Sequence, residues 1–180
     1  MYMSSFLRLF LGLIALVSLS VRADEPVSQY QLSSGDVISI SVYAEPDLSF
    51  ESIRLNDAGT FTFPFIGEVR ARGKTPTEVE QYLVQQLKGD FLVDPRVSIN
   101  VLQYRDFYIS GEVKKPGGYP YQPNLTIRRA IALGGGLSDR ASERRIFVVR
   151  DLDPERKPTR AELDSIVQPG DTVTVEQGFF

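Results

Sequence analysis

Alternation of apolar and polar residues is the main pattern of the chain. Val37-Ile-Ser-Ile-Ser-Val42 sets Ile38, Ile40 and Val42 on one face and Ser39 and Ser41 on the other. That is the period of a half-buried strand. Phe61-Thr-Phe-Pro-Phe65 predicts a second strand with three Phe on one face, entered through the turn Asn56-Asp-Ala-Gly59. Pro64 cannot donate to a ladder and so belongs at an edge or a strand end. Val97-Ser-Ile-Asn-Val101 predicts a third strand. Between these strands the period lengthens. Thr75 can cap a helix, Pro76 suits its first position, and Glu78 completes a Thr-x-x-Glu capping box. Val79, Leu83 and Leu87 then form the buried stripe. Gly89 is a stop, and Asp94-Pro95 restarts the chain in an extended state.

The second half repeats this logic. Phe107-Tyr-Ile-Ser-Gly111 predicts a strand, Lys114-Lys-Pro-Gly-Gly118 a turn, and Tyr119 to Tyr121 the returning strand. Thr126 can cap a short helix from Ile127 to Leu133, with Ile127, Ala130 and Ile131 facing inward and Gly134-Gly-Gly136 ending it. Ile146-Phe-Val-Val149 is apolar on both faces and predicts a central strand. Val173-Thr-Val175 is the last. The fold class is therefore α+β and strand-rich, with a domain boundary near Tyr104-Arg105. Leu32-Ser-Ser-Gly-Asp-Val-Ile-Ser-Ile40 and Val167-Gln-Pro-Gly-Asp-Thr-Val-Thr-Val175 resemble each other, each placing Gly-Asp directly before a strand. A recurrent turn accounts for both, and no duplication is inferred.

Residues 1–23 read as a secretory signal. Arg8 precedes the apolar run Leu9 to Leu19, which is too short to span a bilayer, and Val21-Arg22-Ala23 offers small residues where a signal peptidase reads. Asp24, Glu25 and Pro26 follow at once, which favours cleavage over an anchor. The expected product is an exported protein.

Composition narrows the chemistry. The 180 residues contain no Cys and no His, so thiol nucleophiles, His-based triads and Cys/His zinc sites are all excluded. With 20 Lys+Arg against 23 Asp+Glu the formal net charge is −3. An acidic chain of this kind is a poor nucleic-acid binder. The glycines at 134–136 follow a helix rather than precede one, and no Gly-Lys-Ser/Thr is present, so they do not form a phosphate loop. Asp151, Asp153 and Glu155 alternate as calcium ligands do. Arg156 sits where the calcium loop needs Gly, so a solvated acidic loop is the better reading. Arg140, Arg144, Arg145 and Arg150 are interleaved with acids and read as a mixed-charge surface or an intersubunit seam. The tyrosines at 43, 82, 104, 108, 119 and 121 could stack on sugars but also suit strands.

These motifs, taken in order, resemble the Wza-type polysaccharide export family. Tyr30-Gln-Leu-Ser-Ser-Gly-Asp-Val-Ile-Ser-Ile-Ser-Val42 is similar to the opening of its export domain. Asn56-Asp-Ala-Gly-Thr-Phe-Thr-Phe-Pro-Phe-Ile-Gly-Glu-Val69 follows, with Gly59, Pro64 and Gly67 where the family pattern expects them. Gly73-Lys-Thr-Pro-Thr-Glu78 and Asp94-Pro-Arg-Val-Ser-Ile99 continue the match. Ser110-Gly-Glu-Val-Lys-Lys-Pro-Gly-Gly-Tyr119 and Ala130-Ile-Ala-Leu-Gly-Gly-Gly-Leu137 are similar to the soluble-ligand-binding β-grasp (SLBB) domain that follows. Gln168-Pro-Gly-Asp-Thr-Val-Thr-Val175 resembles its closing strand.

The resemblance implies a polysaccharide export domain over residues 24–104 and a β-grasp domain over residues 105–180. It also implies a periplasmic homo-oligomeric ring that guides an exopolysaccharide or capsular polysaccharide to the outer membrane, with an inner-membrane co-polymerase as partner. Two departures bear on this. The family's larger members begin with a lipidated Cys and end in a pore-forming amphipathic helix. Here there is no Cys, and the sequence ends at Phe180, which makes a separate outer-membrane β-barrel an expected partner.

The site residues that follow are scaffold. Gly35, Gly59, Gly67 and Gly111 should supply turns or close backbone approach, and Asp36 and Asp171 should bond turn amides. Pro64, Asp94, Pro95, Pro116, Gly117, Gly134, Gly135 and Gly170 mark the remaining motif positions. No catalytic, cofactor or metal residue is expected. A monomeric periplasmic module binding a glycan or other ligand is the second reading. A carboxylate-based glycan-processing enzyme is the third and weakest.

Overall fold

The computed structural model describes residues 30–178. The signal reading over residues 1–23 and the terminal Phe179-Phe180 lie outside the described residues. Ten strands and two α-helices follow in the order β1 (Val37–Val42), β2 (Phe50–Arg54), β3 (Thr60–Phe63), β4 (Gly67–Arg70), α1 (Pro76–Leu87), β5 (Val97–Gln103), β6 (Phe107–Gly111), β7 (Gly117–Tyr119), α2 (Ile127–Leu133), β8 (Ala141–Val149), β9 (Thr159–Ala161) and β10 (Thr172–Gln177). A short 3-10 turn, Pro46–Leu48, joins β1 to β2.

Two lobes form because the apolar faces close into two separate cores. In the first lobe an antiparallel sheet of order β2-β1-β5 packs with the β3–β4 hairpin and α1. Ile38, Ile40 and Val42 are buried with Phe61, Phe63 and the α1 stripe Val79, Leu83 and Leu87. The start of α1 is fixed reciprocally. The Glu78 amide donates to Thr75 Oγ1 at 3.2 Å, and the Thr75 amide donates to Glu78 Oε2 at 2.7 Å. In the second lobe the sheet order is β7-β6-β10-β8-β9, with β10 parallel to β6 and every other pair antiparallel. Phe107, Ile109, Ile127, Ala130, Ile146, Val148, Val173 and Val175 are all buried in its core.

Four local expectations change. Phe65 does not join Phe61 and Phe63. It sits at φ +65° in the turn closing the β3–β4 hairpin and is 69% exposed, while Pro64 ends the strand. The returning strand spans Gly117–Tyr119 rather than Tyr119 to Tyr121, because β7 pairs with β6 through Gly117, Gly118 and Tyr119. Ile146 to Val149 is part of a longer strand, β8. Only Ile146 and Val148 of that stretch are fully buried, so one face is covered more completely than the other. Gly134 caps α2 at φ −72°, and the left-handed residues are Gly135 and Gly136. The arginine cluster is also satisfied within the chain: Arg140 pairs with Glu112, Arg145 with Glu176, and Arg150 with Asp171.

Strand β2 escaped the alternation test for a physical reason. Its pairing with β1 slips between Ile38 and Ile40, which face Ile53 and Phe50 respectively. The bulge puts two polar residues between the inward pair, and a strict period of two does not survive it.

Candidate binding site at the lobe junction

The two Gly-Asp fragments fold into the same turn. Gly35 and Gly170 take φ +87° and +82°, a region open to Gly at little cost. Asp36 Oδ2 accepts the Ser33 amide at 2.8 Å, and Asp171 Oδ2 accepts the Gln168 amide at 2.7 Å, each spanning three residues. Both Asp residues are fully buried, and each is paired with an arginine.

These turns meet at Arg105, in the segment between β5 and β6. Its Nη1 donates to Tyr30 Oη at 2.7 Å and to Asp36 Oδ2 at 3.2 Å. Its Nε donates to Asp151 Oδ2 at 3.0 Å, and its amide donates to Asp36 Oδ1 at 2.9 Å. The Tyr30 hydroxyl donates to Asp36 Oδ2. A Cβ on Gly170 would lie 2.6 Å from Arg105 Nε and 2.8 Å from Asp151, so a glycine there lets the second turn rest on the ion pair. Tyr104 meets Tyr30 and Tyr121 edge-to-face, at centroid distances of 4.8 and 5.4 Å.

Burial dominates the electrostatics. It pushes the Tyr30 phenol far above its ordinary range, against the lowering effect of the Arg105 charge. Burial also raises Tyr121, helped by Tyr104. Asp171 is raised by burial as well, although the Gln168 amide and Arg150 favour its charged form, and its Oδ1 has no hydrogen-bond partner.

Tyr30 gives a pH prediction. The unfolded phenol ionises near 10.0, and the folded one higher. The folded state therefore holds a proton that the unfolded state releases. Stability from Tyr30 is complete below about pH 10 and is lost as the pH rises above it, by about 1.4 kcal/mol per pH unit. Urea unfolding in this alkaline range should show a steeper loss for the natural protein than for Tyr30→Phe. Parallel slopes would refute the assignment.

Three open depressions surround Arg105 and Asp151. One of about 340 Å³ is lined by Arg54, Tyr104, Arg105 and Asp151 among others. One of about 320 Å³ has Tyr30, Tyr121, Gln31 and Gln168 in its wall. One of about 440 Å³ is lined by Arg70, Arg72, Arg156 and Gln31. Among the described residues no group of three or more Asp or Glu is placed to hold a metal ion.

Of the motif residues singled out in the sequence, the junction brings together Gly35, Asp36, Gly170 and Asp171. The others lie elsewhere. Gly59, Pro64 and Gly67 belong to the β3–β4 hairpin and its entry turn. Asp94 and Pro95 precede β5, where Asp94 pairs with Arg96 at the surface. Gly134 and Gly135 lie against the Lys114–Lys115 turn that precedes Pro116, where the Lys115 amide donates to the Gly134 carbonyl at 2.8 Å, while Gly117 pairs with Ile109 and Gly111 abuts Val175. The joint role of Arg105, Tyr30 and Asp151 was not legible in the sequence, because Arg105 reaches Asp151 across 46 residues of chain and Tyr30 across 75.

Comparison with known proteins gives the identity. Residues 24–102 match the family model described as polysaccharide biosynthesis/export protein, and residues 107–159 match the SLBB domain. The chain carries a polysaccharide biosynthesis/export domain followed by an SLBB domain. The exopolysaccharide production protein ExoF of Rhizobium meliloti (strain 1021) is 38% identical over 141 residues, covering 71% of this chain and 33% of ExoF. The EPS I polysaccharide export outer membrane protein EpsA of Ralstonia solanacearum is 29% identical over 134 residues, covering 61% of this chain and 35% of EpsA. Its counterpart in Ralstonia nicotianae (strain ATCC BAA-1114 / GMI1000) is 26% identical over 181 residues, covering 82% and 47%. The chain thus spans a third to a half of the length of these relatives. Arg105 falls between the segments matched to the export domain and to the SLBB domain, so the junction joins two family modules. Among the described residues no helix is long and apolar enough to cross a membrane.

Proposed function

We propose that this protein is a periplasmic subunit of an exopolysaccharide or capsular polysaccharide export conduit, with an export domain over residues 24–104 and an SLBB domain over residues 105–180. Copies close into a ring that guides the polymer towards the outer membrane, in contact with an inner-membrane co-polymerase and a separate outer-membrane β-barrel. The observation that carries this reading is the ordered pair of family modules, together with 38% identity to a protein named for exopolysaccharide production.

The chemistry supports it. Moving a polymer requires no bond making from the conduit, only a lumen, subunit contacts and weak sugar contacts. The chain has no His and no Cys. Its sheets end on the edge strands β2 and β5 in one lobe and β7 and β9 in the other. Unpaired strand edges can pair between copies, which is one route to a closed ring.

An in-frame deletion should abolish surface polysaccharide while lipid-linked repeat units are still made, and a plasmid copy should restore the coat. A deletion strain that secretes normally would overturn the proposal.

A further inference from the structure

We propose that the depression lined by Arg70, Arg72 and Arg156 binds a carboxylate-bearing sugar residue of the exported polymer. This rests on the export reading and adds the chemical class of the polymer.

The arginines converge from separate segments. Arg70 and Arg72 lie two residues apart at the end of β4, with Ala71 between them fully buried. The backbone holds this pair firmly. The amides of Ala71 and Arg72 both donate to the Gly59 carbonyl, at 3.0 and 2.9 Å. Gly59 lacks the Cβ that would sit 2.5 Å from Arg72 Cβ. Arg156 enters from the loop after β8, across the lobe junction.

Charge in the depression is left unbalanced. Its two carboxylates are already engaged: Asp151 by Arg105 and Arg156, and Asp153 by the Glu155 and Lys157 amides of its own loop. Arg70 and Arg72 are exposed and have no carboxylate partner among the described residues. In an acidic chain, two adjacent unpaired guanidinium groups form a local anion receptor, and guanidinium recognises carboxylate through paired N–H donors.

The neighbouring depression points to a sugar rather than a bare anion. Gln31 and Leu152 line both, and the second adds Tyr30, Tyr121 and Gln168. Aromatic faces and amide groups beside an arginine pair suit a pyranose ring bearing a carboxylate.

The test is titration of the purified protein with an oligogalacturonate, a neutral oligosaccharide of equal length, and inorganic phosphate, followed by calorimetry and NMR. The oligouronate should bind weakly and more weakly as salt rises. Its affinity should exceed that of the neutral sugar by about tenfold or more, the worth of one charge-assisted bond. Arg70→Gln/Arg72→Gln should lose that margin with its melting temperature unchanged, since both side chains are exposed. Equal affinity for the neutral sugar, equal binding by the double variant, or full competition by phosphate at matching concentration would each overturn the proposal. These results are separate from the deletion test. A coated deletion strain sinks the export reading whatever binds, and an uncoated strain whose protein ignores oligouronate sinks only this inference.

Discussion

Gly111→Ala is expected to destabilise the SLBB lobe severely. Gly111 ends β6 at φ +82°, and a Cβ there would lie 2.0 Å from the Val175 carbonyl oxygen. That oxygen belongs to β10, the central strand of the five-stranded sheet, and accepts the Glu112 amide at 2.8 Å. The contact is backbone against backbone, so no rotamer change relieves it. Relief requires β6 and β10 to separate at the end of their parallel register, beside the buried Val175. The left-handed conformation alone costs a non-glycine residue about 1–2 kcal/mol. Parting central strands adds to this, and a total of about 4 kcal/mol or more is expected, in the range reserved for broken core architecture.

Gly67→Ala is the matched control. It has the same φ of +82° but nothing within 4 Å of the added carbon. It should show the conformational cost alone, about 1–2 kcal/mol. Urea midpoints of the two variants measure the difference. If they fall together, the Val175 contact is not what requires glycine at position 111.

The contrast between these glycines shows what the sequence could and could not reveal. Both were recognisable as turn or close-approach positions from their motifs, yet nothing local distinguishes them. The difference arises from Val175, 64 residues away, whose carbonyl arrives only when β10 inserts beside β6. The same holds for the larger architecture. The α1 boundaries were legible because the Thr75–Glu78 capping box and the Val79, Leu83, Leu87 stripe are local and reinforce each other. Phe65 was misread because its φ of +65° places it in a turn, and alternation of apolar residues carries no information about the sign of φ. At the junction, Asp36 and Asp171 could be expected to bond nearby amides, since an Asp next to Gly before a strand does so through its own turn. Their arginine partners could not be anticipated, because Arg105 and Arg150 are two of many arginines in the chain; the pairing of β8 with β10 brings Arg150 to Asp171, and the docking of the lobes brings Arg105 to Asp36.

That docking supplies the second large effect. Asp36 is fully buried and receives four donors: the Ser33 amide, the Tyr30 hydroxyl, and the amide and guanidinium of Arg105. In Asp36→Asn one of the two acceptor oxygens becomes an NH2 group that faces donors. A buried, hydrogen-bonded charge pair broken from one side costs about 3–5 kcal/mol, because the remaining partner is left desolvated and unmatched. Arg105→Met removes the other side. It spares the backbone amide bond to Asp36 Oδ1 but leaves the buried Asp36 with no counter-ion and Asp151 with only the 3.9 Å contact to Arg156. Each single variant should therefore lose about 3 kcal/mol or more.

The double variant separates a local role from a bridging one. If Arg105 and Asp36 act on each other, the double change should cost less than the two single changes combined, by about 1–3 kcal/mol. The lobes have separate cores, and Arg105 ties the turn of Asp36 to Asp151 and to the turn of Gly170. Removing it should uncouple their unfolding, so that calorimetry of Arg105→Met resolves two transitions where the natural protein shows one. Strict additivity, with a single transition in every variant, would mean that the arginine merely fills space and that the lobes are held together by other contacts.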